Sequence, residues 1–152
     1  NFNYFWQGLG DQFKEWIARN EERYRRAEEE EVRFQTFMDE DADLLLVAFG
    51  ASARISQKVV ERARSEGMKM GLIRPVSLWP FPYAAIEEKV GQVKKFMVVE
   101  DSMGQLIDDV NVAVAKQAEV RLVGCQYRHL PGAGGMIYPE TVYQEARKYY
   151  EQ

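Results

Sequence analysis

The feature that most constrains this sequence is an unbroken apolar run at residues 44–49, followed at once by Gly50. The run is too short for a core helix and does not alternate between apolar and polar residues, as expected of a strand covered on both faces. We therefore predict a central strand of a parallel sheet at this point. A helix should follow from the Gly50 turn and end near Gly67, because glycine commonly terminates helices.

The same succession of a short apolar run and a helix repeats through the rest of the chain. Further strands are predicted at residues 70–74, 96–99 and 120–123. Helices are predicted at 83–90, 103–115 and 139–150; Pro82 and Pro139 favour two of the starts, and Ser102 with Gln105 forms a capping-box pattern for the third. This repeat is typical of an α/β fold with a doubly wound, mainly parallel sheet of about four to five strands and helices on both faces.

The first 38 residues show no strand pattern and predict a helical extension. Apolar residues up to Ile17 recur at steps of three and four, the spacing of one helix face, and strong helix formers of both charges follow. An acidic cluster at 39–43 marks the change of character. We therefore predict a helical linker or extension at 1–38 and an α/β domain at 39–152. Because the first residue is Asn1 rather than Met, we expect a piece of a longer protein.

Composition excludes several functional classes. The 152 residues fit one compact domain with a modest appendage. A formal net charge of −4 argues against a nucleic-acid partner, which requires an excess of clustered Lys and Arg. No run is long and apolar enough to cross a membrane and the start has no signal-peptide pattern, so we expect a cytoplasmic protein. The only cysteine, Cys125, cannot form an internal disulfide or supply the four thiolates of an iron–sulfur cluster.

Two glycine-containing turns are candidate anion sites. Gly50 and Ser52 open a helix directly after a strand, where backbone N–H groups and the helix dipole attract anions. Because nucleotide-binding glycine and lysine spacings are absent, a structural cap at Ser52 is the favoured interpretation. The loop at 132–135 resembles a backbone nest, but a close crossing of neighbouring backbone explains its glycines better. His129 lacks partners for a metal site and is interpreted as a loop residue.

Glu100 and Asp101 lie where a predicted buried strand ends, at the sheet edge that commonly carries active sites. A carboxylate there could act as a general base. No second titratable partner is identifiable, however, and the dipole of the following helix accounts for Asp101. No nucleophile, base and orienting group come together, so we predict no catalytic residue and no metal site in this chain.

Three stretches taken together resemble the alpha subunit of 2-oxoacid:ferredoxin oxidoreductases. They are Leu44-Leu45-Leu46-Val47-Ala48-Phe49-Gly50 with Ala53-Arg54-Ile55, Gly71-Leu72-Ile73-Arg74-Pro75 with Leu78-Trp79-Pro80-Phe81-Pro82, and Val98-Val99-Glu100 with Met103-Gly104-Gln105. The second stretch is the most specific. Arg23-Tyr24, followed by Glu31-Val32-Arg33-Phe34, is most similar to the branched-chain, 2-oxoisovalerate type. Cys125, the run at 126–130 and Ala133 depart from the pattern.

The resemblance implies a transketolase C-terminal-like domain in an oxygen-sensitive complex. Such a complex decarboxylates a 2-oxoacid on thiamine diphosphate and magnesium, transfers the acyl group to coenzyme A and reduces ferredoxin through iron–sulfur clusters. The implied partners are the preceding pyrimidine-binding domain of the same subunit, a thiamine-binding beta subunit and an iron–sulfur subunit. We expect this chain to bind none of these cofactors, to be inactive alone and to serve in subunit assembly.

The expected assembly surface is the carboxyl edge of the sheet, because prolines hold aromatic side chains on a stiff turn there. The candidate interface residues are Arg74, Pro75, Trp79, Pro80, Phe81, Glu100, Met103, Gly104 and Gln105. A different outcome is that Trp79 and Phe81 fill the core of the domain. Two other functions stay open: a free-standing module that binds small anions or nucleotides, and the equivalent domain of a transketolase or 2-oxoacid dehydrogenase.

Overall fold

A computed structural model describes residues 10–124 and 137–152 of the chain. The chain divides into two units, Asn1–Val32 and Arg33–Gln152. The described part of the first unit is a single helix, α1, at Asp11–Glu30. Its charges pair along the helix as the sequence predicts, with Arg25 at 2.7 Å from Glu22 and 2.6 Å from Glu29. Predictions for residues 1–9 and 125–136 lie outside the described residues.

The second unit is a five-stranded sheet between two layers of helices. Its elements in chain order are β1 Phe34–Phe37, β2 Leu44–Ala48, α2 Gly50–Ser65, β3 Met70–Pro75, α3 Tyr83–Val90, β4 Lys95–Val99, α4 Leu106–Val114, β5 Glu119–Val123 and α5 Pro139–Tyr150. The strand order is β1-β3-β2-β4-β5, and all neighbours are parallel except β1 and β3. The predicted doubly wound α/β fold is confirmed.

The central strand β2 is fully buried, and its side chains alternate between two hydrophobic cores. Leu44, Leu46 and Ala48 contribute to the core beneath α2 and α5. Leu45 and Val47 contribute to the opposite core beneath α3 and α4. Helices on both faces therefore explain why this strand reads as a continuous apolar run rather than an alternating one.

The prediction that no strand precedes Asp39 is wrong, because β1 pairs antiparallel with β3, Phe34 lying opposite Pro75 and Phe37 opposite Leu72. β1 is an edge strand, and most of its side chains are exposed. An edge strand is hydrogen-bonded to a neighbour on one side only and does not need an apolar run. The four residues of β1 therefore have no sequence pattern that would predict a strand. The sheet therefore includes residues 34–37, which the sequence assigned to the helical extension.

The amino edge of the sheet, where β2 and β3 begin, is held by ion pairs and hydrogen bonds. Asp39 lies 2.6 Å from Lys89 of α3, and Asp41 lies 2.7 Å from Arg64 of α2. The Arg64 guanidinium also donates to the carbonyl oxygens of Met38 and Met70 at 2.6 Å each. The acidic cluster therefore fastens the turn between β1 and β2 to helices on both faces.

No helix within residues 10–124 and 137–152 is long and apolar enough to span a membrane.

Candidate functional site

The topology places a switch point between β2 and β4. From β2 the chain crosses through α2 on one face to β3, then returns through α3 on the other face to β4. In open α/β sheets, ligands and partners meet the carboxyl ends of the strands at such a point. Three segments lie at this carboxyl edge: the turn at 49–50, the segment 76–82 and the loop 100–105.

Glu100 is buried and caps α4. It is 1% exposed, and its carboxylate accepts hydrogen bonds from the Ser102 hydroxyl at 2.7 Å and from the N–H groups of Gln105 at 3.2 Å and Leu106 at 2.8 Å. A longer bond of 3.4 Å comes from the N–H of Ile107. The carboxylate therefore neutralises the positive end of the helix and satisfies amide groups that would otherwise lack acceptors.

The predicted capping box at Ser102 and Gln105 is wrong. Gln105 occupies the N-cap position without a side-chain cap, and α4 begins at Leu106 rather than at Met103. The Ser102 hydroxyl donates to Glu100 instead of accepting from the helix. Sequence reasoning weighed Glu100 as a base or a surface residue and missed this capping role. Its signal is a carboxylate six residues before the start of a helix, a spacing that becomes a cap only in this loop conformation.

The loop after Glu100 carries an exposed methionine. Met103 is 80% exposed, while Gly104 next to it has φ of +116°, a conformation that L side chains rarely adopt. Gly104 therefore allows the tight return of the chain into α4. Of the predicted interface residues in this loop, Met103 and Gln105 are exposed, and Glu100 is enclosed.

The segment between β3 and α3 contains two aromatic residues that differ in burial. Trp79 is 58% exposed, whereas Phe81 is 6% exposed and belongs to the core beneath α3 and α4. The Phe81 ring packs edge-on against Tyr83, with centroids 5.0 Å apart. Ser77 fastens the segment, because it accepts from the Arg33 N–H at 2.9 Å and donates to the Pro80 carbonyl at 2.8 Å. Phe81 and Pro80 are thus buried, and Trp79 stands outward.

Further exposed apolar side chains lie within this segment and in the strand next to it. Val76 and Leu78 are exposed beside Trp79 in the chain, and Phe34 pairs with Pro75 in the adjacent strand. We call Phe34, Val76, Leu78, Trp79 and Met103 the exposed apolar edge. These side chains all lie at the carboxyl edge of the sheet, which therefore exposes several large hydrophobic side chains.

Arg74 and Pro75 end β3. Pro75 is buried opposite Phe34. Arg74 is half-buried; its guanidinium donates to the Gln35 side chain at 3.2 Å, but its Nε atom is enclosed and has no hydrogen-bond partner within the described part of the chain. Buried polar atoms without partners are uncommon and call for a physical explanation.

The turn at Gly50 opens α2 without a side-chain cap. Gly50 has φ of +56° and begins the helix, and Phe49 is the N-cap residue. The structural cap interpreted for Ser52 is wrong, because Phe49 and not Ser52 occupies the N-cap position of α2. Ser52 is instead buried on the inner face of the first turn. Among the described residues, no side chain therefore caps the first turn of α2, in contrast to α4, which Glu100 caps.

Tyr83 and Asp109 join the two helices on one face of the sheet, a contact that sequence reasoning missed. The Tyr83 hydroxyl donates to the Asp109 carboxylate at 2.6 Å. This hydrogen bond, with partial burial and the negative charge of Asp109, raises the pKa of Tyr83 above its ordinary value. The two residues are 26 positions apart, so no local pattern could reveal the pair.

Several predictions concern residues outside the described part of the chain. Cys125, His129 and the glycine loop at 132–135 lie outside them. Within residues 10–124 and 137–152, no group of three or more His, Cys, Asp and Glu side chains is placed to hold a metal ion.

Known proteins with similar sequences are subunits of oxidoreductases and synthases. The family model for pyruvate:ferredoxin oxidoreductase core domain II matches residues 42–142. The chain is 40% identical over 103 residues to the ketoisovalerate oxidoreductase subunit VorB of Methanothermobacter thermautotrophicus, covering 68% of this chain and 29% of that protein. It is 36% identical over 107 residues to the 2-oxoglutarate synthase subunit KorA of Methanothermobacter marburgensis, covering 70% of this chain and 27% of that protein. The chain thus spans less than a third of these curated relatives.

Solved structures share the fold at lower sequence identity. The 2-oxoglutarate:ferredoxin oxidoreductase from Magnetococcus marinus matches with a TM-score of 0.73 and 18% identity, covering 94% of this chain and 24% of that chain. A split-gene transketolase, described as an inactive beta4 tetramer, matches with a TM-score of 0.62 and 16% identity over 78% of this chain and 41% of that chain. Both likenesses concern the fold alone.

Proposed function

This chain belongs to the pyruvate:ferredoxin oxidoreductase core domain II family, and from that membership we propose that it is the transketolase C-terminal-like domain of the alpha subunit of a 2-oxoacid:ferredoxin oxidoreductase. The complex would carry out the CoA-acylating oxidative decarboxylation of a 2-oxoacid, with ferredoxin as the electron acceptor. The family match over residues 42–142 is the observation that carries this proposal.

Among the subtypes of this family, we favour the one that acts on a branched-chain 2-oxoacid. The identity to a ketoisovalerate oxidoreductase subunit is 40%, compared with 36% for a 2-oxoglutarate synthase subunit over a segment of similar length. The subtype therefore follows from similarity and not from the geometry of a site.

Within the complex we assign this domain to assembly rather than to chemistry. A catalytic carboxylate needs access to substrate, whereas the Glu100 carboxylate is fully engaged with its own loop and helix. Among the described residues, the carboxyl edge presents exposed apolar side chains rather than a cluster of titratable groups. Such a surface suits contact with another protein chain, where buried aromatic side chains contribute strongly to affinity.

The partners of this edge would be the preceding pyrimidine-binding domain and the thiamine-binding beta subunit. The unit Asn1–Val32, whose described part is α1, would act as a linker or an extension of the α/β domain. Thiamine diphosphate, magnesium, coenzyme A and the iron–sulfur clusters would bind to other domains and subunits, including an iron–sulfur subunit that passes electrons to ferredoxin. A cytoplasmic location stays a prediction of the sequence.

Titration calorimetry of the 152-residue chain with thiamine diphosphate and magnesium tests this division of roles. We expect no measurable binding, because a thiamine site requires ligands from the other domains. The intact complex, titrated in parallel, is the positive control. A dissociation constant near micromolar for the chain alone, equivalent to about −8 kcal/mol, would require an intact site here and contradict the proposal.

A further inference from the structure

Helix α1 carries most of its apolar side chains in a heptad pattern. When Ile17 is assigned to position a of the repeat abcdefg, Tyr24 also falls at position a. The residues at position d are Phe13, Asn20 and Ala27. Ile17 is 44% exposed and Tyr24 is 58% exposed, so large apolar surface lies at both a positions. Two helices pack along their length through a repeat of this kind. We call these five residues the α1 seam.

Charged residues keep the α1 seam narrow. Glu21 and Glu28 occupy e positions on one side of the seam, and Arg23 and Glu30 occupy g positions on the other. The exception is Trp16, at the first g position. A helix that packs on a globular domain has a wider apolar stripe, which extends to e or g. The α1 seam is therefore suited to a single helix of matching pattern rather than to the surface of a domain.

The charges of α1 divide into those that pair within the helix and those that do not. On the side away from the seam, Arg25 forms ion pairs with Glu22 and Glu29. Arg23 and Glu28 flank the seam, and in the described part of the chain neither side chain has an ion-pair or hydrogen-bond partner. Two charges of opposite sign beside the seam can therefore pair with those of a second helix.

A second copy of α1 matches these charges when the two helices are parallel and in register. The g position of one heptad then faces the e position of the next heptad on the other helix, so Arg23 of each copy meets Glu28 of the other. An antiparallel pair with aligned apolar layers instead brings Arg23 near Arg23 and Glu21 near Glu21. In the parallel pair Asn20 also faces the same residue of the other copy, and the two amides can hydrogen-bond to each other.

We infer that α1 pairs with α1 of a second copy of this chain as a parallel, two-stranded coiled coil. Ile17 and Tyr24 would fill its core, and Arg23 with Glu28 would form two symmetry-related ion pairs at its sides. The 20 residues of α1 span fewer than three heptads of seven. The pairing should therefore be weak, with a dissociation constant on the order of 100 micromolar. This contact lies outside the proposed assembly surface at the carboxyl edge and does not depend on it.

Analytical ultracentrifugation of the 152-residue chain, over concentrations that span the expected dissociation constant, tests the pairing. We expect a monomer–dimer equilibrium. Ile17→Asp should raise the dissociation constant at least tenfold, because it places a carboxylate in the apolar core. Arg23→Glu should raise it roughly fivefold at low salt, because two attractive pairs become repulsive. Arg19→Glu, which makes the same charge change at position c away from the seam, should leave it within about twofold of wild type.

A mixture of two variants tests the orientation of the helices. Glu28→Arg alone should weaken the dimer as much as Arg23→Glu does, since it brings two arginines together. When the two single variants are mixed, each copy supplies the charge that the other lacks, and dimers should form with about the affinity of wild type. Both substitutions lie at exposed positions of α1, and circular dichroism of each variant checks that the chain is folded.

Three results would overturn the inference. A chain that stays monomeric at every concentration would show that the α1 seam binds no second copy. A dimer that Ile17→Asp leaves intact and Trp79→Ser weakens would place the contact at the exposed apolar edge. A mixture of Arg23→Glu and Glu28→Arg that forms no more dimer than either variant alone would exclude the parallel pair. None of these results touches the proposed assembly role, which concerns a different surface and the beta subunit.

Discussion

The two edges of the sheet are built in opposite ways. At the amino edge, Asp39, Asp41 and Asp43 contact side chains of α3, α2 and α5, so all three aspartates of the acidic cluster have a partner within the domain. At the carboxyl edge, one carboxylate is enclosed and large apolar side chains point outward. Substitutions at the first edge should therefore affect the stability of the chain, and those at the exposed apolar edge should affect its associations.

The close packing of the amino edge extends to the backbone. A Cβ atom on Gly71 would lie 2.6 Å from the Met38 carbonyl oxygen and 2.9 Å from the Leu45 side chain. Only glycine allows the turn between β1 and β2 to pass this close to β3. The acidic cluster, which the sequence presents as a simple boundary between segments, thus holds the turn between β1 and β2 against the neighbouring helices.

Among the polar substitutions, replacement of Glu100 with Ala should have the largest effect on stability, because this residue belongs to the internal structure of the carboxyl edge and not to its surface. The change removes the acceptor of four hydrogen bonds and leaves enclosed amide groups unsatisfied. We expect a loss of about 3 kcal/mol in the free energy of unfolding, measured by urea denaturation. Glu88→Ala, on the exposed side of α3, should change it by less than about 0.5 kcal/mol. Equal losses for the two variants would contradict the capping role.

A smaller effect is expected at the amino edge from Asp39→Asn. Burial opposes ionisation of Asp39, but hydrogen bonds from Lys89 and Thr36 outweigh it and hold the pKa of this carboxyl below its ordinary value. Its stabilisation is therefore present above the unfolded pKa of about 3.9 and is lost as the pH falls through the folded value. We expect Asp39→Asn to cost about 1 kcal/mol at pH 7, because the pair with Lys89 is mostly enclosed.

Urea denaturation of wild type and Asp39→Asn between pH 7 and pH 2 checks this sign. The difference between the two proteins should be constant above about pH 5 and should shrink below about pH 4. Glu61→Gln, which breaks an exposed pair with Lys58, serves as the control and should show little effect at any pH. A difference that grows as the pH falls would show that ionised Asp39 destabilises the fold.

The sequence predicted most of the fold because the deciding signals are local. Pro82 and Pro139 mark the starts of α3 and α5, and both helices have the bounds predicted from the sequence. The apolar run of β2 depends only on its burial on two faces. What failed depends on distant neighbours: β1 exists because β3 offers it an edge, and Glu100 replaces the capping box because the loop conformation brings its carboxylate to α4.

The candidate site was less predictable for the same reason. Sequence grouped Trp79 and Phe81 as one aromatic pair, since nothing in the letters distinguishes an inward ring from an outward one. The turn fixed by Ser77 and the prolines sends Phe81 into the core and Trp79 outward. The predicted interface is thus narrowed to the exposed apolar edge, which includes Trp79 but not Phe81.

The most direct test of the assembly role compares Trp79→Ser with Phe81→Ala. Each chain is first melted alone, and assembly of the proposed alpha subunit, carrying the same change, with the proposed beta subunit is then measured by analytical ultracentrifugation. Trp79→Ser should change the chain's unfolding free energy by less than about 1 kcal/mol and weaken assembly at least tenfold, because buried aromatic residues often carry about 2 kcal/mol or more of an interface. Phe81→Ala should cost the chain about 3 to 5 kcal/mol, as expected of a core residue. A similar loss for Trp79→Ser, or unchanged assembly, would contradict the account.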